Sequence, residues 1–183
     1  MTARFVALLR GINVGRAKRV AMADLRAVVE GLGYGDVRTL LNSGNVVFTA
    51  PRATKESVAA ARIRAAVAER CGVDSRVTVL AGDAVAAAVA ENPLLDVAAD
   101  PSRLFVAVLA DPADARSRLQ PLAARSWTPE ALAVGGRVAY LWCPAGQIES
   151  PLAAALAKTL GDAVTSRNWA TMTKLHALVA TGS

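Results

Sequence analysis

Aromatic residues are scarce in this 183-residue chain, at 4%. Its core must therefore be built from aliphatic side chains and close helix contacts. Histidine occurs once, as His176, and cysteine twice, as Cys71 and Cys143, far apart and without a C-x-x-C pair. That excludes a zinc framework and a disulfide scaffold, calls for no metal or cofactor, and fits a reducing, cytoplasmic setting. Lysine is confined to Lys18, Lys55, Lys158 and Lys174. Long apolar runs are missing too. Phe5–Leu9 spans five residues, too short for a signal-peptide core, and no stretch approaches a membrane span, so no membrane partner is expected.

Apolar residues make up 54% and charged residues 20%, enough apolar surface for one ordinary domain or two small ones. The formal charge of +6 is carried mainly by arginine. A general bias toward Arg and Ala can reflect a genome's base composition, yet the charge favours anionic partners, nucleic acid among them. Arginine also supplies a fixed fork of donors for carboxylate or phosphate.

The order of elements is legible. Phe5–Leu9 is a continuous apolar run, as in a strand buried on both faces. Met22, Leu25, Val28, Val29 and Leu32 recur at helical spacing, and Gly33 sits where a cap glycine belongs. Val37–Leu41 and Val46–Phe48 flank Asn42-Ser43-Gly44-Asn45 as a hairpin. A helix over 54–70 stops at Gly72, a strand follows at Val77–Leu80, and Asp83 is expected to cap a short helix reaching about Glu91. Residues 92–102, rich in proline and acids, read as a linker.

The pattern then restarts. Leu104–Leu109 is a strand, and Asp111-Pro112 opens a helix expected to end near Pro121. Ala131–Val134 and Val138–Trp142 flank Gly135-Gly136. Ser150-Pro151 caps a helix with Leu152, Leu156 and Leu160 on one face, closed by Gly161. A short strand near Ala163–Thr165 precedes a last helix from Asn168 to about Val179, whose buried stripe is Met172, Leu175 and Val179. The expected fold is α+β: two ferredoxin-like β-α-β-β-α-β-α repeats in tandem, 1–91 and 103–183, joined by 92–102.

Three places carry polar residues where a bare scaffold needs few. The first is Arg10-Gly11-Ile12-Asn13-Val14-Gly15-Arg16, in a stretch where the first 26 residues hold six bases against the single acid Asp24. Glycines let backbone N–H groups approach an anion. The motif is neither a P-loop nor a dinucleotide fingerprint, and a plain strand-to-helix turn also accounts for it. The second is the hairpin loop, where a minimal turn needs only two central residues. The third is Thr165–Lys174, where Asn168 can cap the last helix, Arg167 stands beside its N-terminus, and Trp169 lines a pocket or fills a core. His176 has no triad partner near it, and neither cysteine has the neighbours of a nucleophile. Tyr140 and Trp142 share a strand face, but no RNA-recognition signature is present, and apolar runs leave no open sheet platform.

Taken together, "LLRGINVG", "MADLRAVVEGLGYGDVRTLLNSGNVVF" and "TSRNWATMTKL" resemble the bacterial domain-of-unknown-function family numbered 1697. The resemblance runs from Phe5 to about Val179. It implies a cytosolic α+β protein with ferredoxin-like repeats and no known activity. It also implies that the family's characteristic polar residues fall on Arg10, Asn13, Gly15, Ser43, Gly44, Asn45, Arg167, Asn168 and Trp169. Where the family usually has serine followed by lysine, this chain has Ser150-Pro151.

The leading expectation is a polar, cationic pocket between the repeats for a small, phosphate-bearing anion. Arg10 and Arg167 would grip the anion, and Asn13, Asn45 and backbone N–H groups would orient it. No general base or nucleophile marks an enzyme. The alternatives are a basic module for nucleic acid or a protein partner, and a purely structural lock between repeats.

Overall fold

The computed structural model describes residues 1–181. It is an α+β molecule with two four-stranded antiparallel sheets and six helices. By packing, the chain divides into two compact units. The first is Met1–Val85 together with the chain from Leu175, and the second is Ala86–Lys174.

In the first unit, β1 (Thr2–Leu9) is followed by α1 (Met22–Gly31), β2 (Gly35–Leu40), β3 (Asn45–Pro51), α2 (Glu56–Cys71) and β4 (Val77–Ala81). The sheet order is β2-β3-β1-β4. Phe5 lies opposite Phe48 on β3 and Ala81 on β4. Every residue from Phe5 to Leu9 is buried, as the unbroken apolar run requires. Phe5, Ala7, Leu9 and Phe48 form one core with Leu25, Val28 and Val29 of α1 and Ala59, Ile63 and Val67 of α2. Gly72 ends α2 in the left-handed conformation, with its N–H on Ala68 O. Helix α3 (Gly82–Ala90) begins one residue before Asp83, so Asp83 lies within its first turn instead of capping it.

The second unit repeats the order with β5 (Leu104–Leu109), α4 (Pro112–Ala123), β6 (Ala131–Val134), β7 (Val138–Trp142), α5 (Pro151–Leu160), β8 (Val164–Asn168) and α6 (Trp169–Ala180). Its sheet order is β6-β7-β5-β8. Leu109, Leu119, Leu141, Leu152, Leu156 and Leu160 fill its core. Asp111 and Ser150 cap α4 and α5 by accepting from Asp114 N (3.2 Å) and Ala153 N (2.9 Å). Two elements outrun their sequence signals. Helix α4 continues past Pro121 to Ala123, and β8 extends to Asn168 because the whole stretch pairs with Phe105–Leu109 of β5. Met172 and Leu175 of the last helix are buried, and Val179 is half-buried. Among the described residues no helix is long and apolar enough to cross a membrane.

Candidate functional site

At one end of the first sheet the loop after β1 meets the loop between β2 and β3. Arg10 leaves the strand with its backbone still tied down. Its N–H donates to Arg76 O (2.9 Å) and its carbonyl accepts from Ser75 Oγ (2.8 Å). The side chain of Arg10 is in an exposed residue, as are those of Arg16, Lys18 and Arg19. Between Arg10 and Val20 there is no acid.

Asn13 organises this loop. Its backbone is left-handed (φ +55°), which asparagine tolerates well. Its N–H donates to Lys18 O (3.0 Å), and its Oδ1 accepts from Val20 N (2.9 Å). Its Nδ2 donates to Val20 O and to Asn42 O, both at 2.8 Å. The last bond reaches the neighbouring hairpin loop, so one side chain closes its own loop and ties two loops together. Gly11, Gly15 and Lys18 are left-handed as well. Four left-handed residues within eight positions make this loop a run of tight turns.

The hairpin loop is equally built. Asn45 is buried, and its Nδ2 donates to Leu40 O (2.6 Å) and Ser43 Oγ (2.9 Å). Gly44 has φ +87°, and a Cβ there would stand 2.7 Å from Ile12 Cδ1 and 3.0 Å from Leu9 Cβ. Its carbonyl accepts from Leu9 N (2.9 Å). Asn45 and Ser43 thus close the turn on itself, and the Gly44 carbonyl ties it to β1. Both Nδ2 hydrogens of Asn13 and of Asn45 are used by the protein itself. What this end of the sheet offers a ligand is therefore mainly its cations.

Asp74 follows α2. Arg64 holds it with two bonds (2.7 and 2.9 Å), and this hydrogen bonding keeps its carboxyl below the usual carboxylate range.

Arg167, Asn168 and Trp169 lie in the second unit, where β8 passes into α6. Asn168 Oδ1 accepts from Thr171 N (2.9 Å), the expected cap. Ala170 N donates to Pro101 O (3.4 Å), so two of the N–H groups at the helix start already have partners. Arg167 donates from Nη1 to Ser166 O (2.9 Å), and burial of its guanidinium lowers its pKa to about 10. Trp169 is half-buried. The structure thus gathers Arg10, Asn13, Gly15, Ser43, Gly44 and Asn45 in the first unit, and Arg167, Asn168 and Trp169 in the second.

Sequence reasoning missed Ser75, and for Asn42, noted only as part of the hairpin loop, it missed the bond from Asn13, since both contacts reach far along the chain. It also missed Glu130, whose Oε2 accepts from Leu152 N (3.0 Å) at the start of α5. Burial pushes both thiols up, at Cys143 most of all by desolvation and at Cys71 with help from the charge of Asp24. Neither is a ready thiolate.

The sequence pattern settles the family. A family model described as proteins of unknown function, DUF1697, matches residues 1–140. The chain belongs to the DUF1697 family. The conserved bacterial protein SP0830 from Streptococcus pneumoniae has a similar structure, with a TM-score of 0.78 and 22% identity over 98% of this chain and 99% of that one. At that identity the likeness concerns the fold alone. A second solved structure, of the protein designated TA0507, aligns with a TM-score of 0.26 at 12% identity, too low to bear on the fold. No curated protein matches the sequence.

Proposed function

We propose that the protein binds a small phosphate-bearing anion at the loop-bearing end of its first sheet, with Arg10 as the main grip. The observation that carries this reading is the β1–α1 loop itself. It exposes Arg10, Arg16, Lys18 and Arg19, its own residues include no acid, the nearest acidic charge acting on it being Asp74 beside Lys18, and Asn13 pins its conformation. A guanidinium holds a phosphate with two parallel bonds. Arg167, on the second unit, is proposed as a further anion contact, its guanidinium bonded to Ser166 O and still charged near neutral pH.

The orders β4-β1-β3-β2 and β8-β5-β7-β6 support reading the units as ferredoxin-like repeats of each other. The lack of helix or strand over 91–103 supports reading 92–102 as a linker between the repeats 1–91 and 103–183, although by packing that stretch goes with the second unit. Free thiols at Cys71 and Cys143 support a cytoplasmic location.

The test is the melting midpoint in the presence of pyrophosphate, sugar phosphates and nucleotides. A ligand at about a hundred times its Kd adds about 2.7 kcal/mol, which for this size raises the midpoint by about 5–10 °C. The shift should vanish in Arg10→Ala. A response that instead falls steeply with salt and is spread over many arginines would favour the basic-module reading. No shift with any of these anions sinks the anion reading.

A further inference from the structure

Two aliphatic side chains stand on the same two loops. Val14 is 73% exposed and Leu41 is 50% exposed. They flank the bond that joins the loops, Val14 beside Asn13 and Leu41 beside Asn42. Single exposed aliphatics are ordinary, but Val14 stands in the chain between Arg10 and the exposed cations Arg16, Lys18 and Arg19. Leu41 is also left-handed, at φ +59°, where leucine is strained and asparagine or glycine is not. It gains little burial in return. Aromatic stacking does not compete here, since Phe5, Tyr34 and Phe48 of this unit are buried.

We infer that this anion site takes a phosphate ester carrying an aliphatic group, with the phosphate on the basic loop and the hydrocarbon against Val14 and Leu41. The inference rests on the anion reading above and adds the apolar half of the ligand. A soluble alkyl phosphate and an anionic lipid share this chemistry.

Binding is measured for inorganic phosphate, for alkyl phosphates from ethyl to hexyl, and for vesicles of phosphatidylglycerol against vesicles of phosphatidylcholine. Affinity should rise along the alkyl series, roughly two- to fourfold for each methylene buried. The double variant Val14→Ser, Leu41→Asn should lose that rise and keep the response to inorganic phosphate. Asparagine suits the backbone at position 41, and an unchanged or raised melting midpoint verifies that the variant is folded. Sedimentation with phosphatidylglycerol vesicles alone, lost in the variant, identifies a lipid as the source. Alkyl phosphate binding without vesicle binding identifies a soluble ester. A flat series with the phosphate response intact overturns this inference and leaves the anion reading standing. A rise that survives in the double variant also overturns it, because the hydrocarbon then lies elsewhere. No response to phosphate or to any ester overturns both.

Discussion

At the scale of single residues, the two loops contain both kinds of left-handed position. Gly44 is there by necessity, because its φ of +87° and the nearness of Ile12 and Leu9 leave no room for a Cβ. Leu41 is there against its preference. The two positions therefore predict opposite outcomes in a urea titration. Gly44→Ala should cost about 1–3 kcal/mol, and Leu41→Asn should gain up to about 1 kcal/mol. Equal and small effects would mean that the loops relax freely. The sequence announced a turn here, because asparagine and glycine reach positive φ cheaply. It could not announce that Asn13 bonds to the carbonyl of Asn42, since that partner is set by how β1 and β2 lie in the sheet and not by any local pattern. The nine polar positions were legible as unusual, but what each one touches was not.

At the scale of elements, local chemistry predicted well wherever a signal is complete within a few residues. Gly72 and Gly161 end their helices, and Asp111 and Ser150 begin theirs. Two elements outran their signals. Ser166–Asn168 is too polar to look like a strand, yet it is one because β5 supplies the ladder. Pro121 has the look of a stop, but α4 runs past it to Ala123, and Ala124 N still donates to Gln120 O (3.0 Å). The caps also differ in strength. Ser150 is buried and bonds at 2.9 Å, whereas Asp111 is exposed and bonds at 3.2 Å. Ser150→Ala should therefore lower the unfolding free energy by about 1–2 kcal/mol and Asp111→Ala by less than about 1 kcal/mol. Urea midpoints compared at constant slope check the ranking.

At the scale of the whole molecule, the order of strands and helices was readable because both halves use the same alternation of apolar runs and breaks. How the chain divides was harder to read, because α3 and α6 each pass from one unit into the other. Tyr140 ties β7 to α3 within the second unit. It is buried, and its hydroxyl donates to Ala88 O at 2.7 Å. Burial, helped by the charge of Glu91, pushes its pKa up to about 12. The fold therefore favours the neutral phenol. The stability this gives is whole below the unfolded value of about 10 and is lost as pH rises from there toward the folded one. Tyr140→Phe should cost about 1 kcal/mol at neutral pH and flatten the alkaline loss, read as the difference between the two proteins' unfolding curves across that range. Unchanged alkaline sensitivity would assign the loss to other groups. In the first unit, the guanidinium of Arg4 bonds to the carbonyl of Leu178 near the end of α6. That bond imposes a timetable on synthesis. A ribosome releases Arg4 and its sheet long before it translates Leu178, so the nascent first unit waits, with that contact unmade, until the entire second unit has been produced.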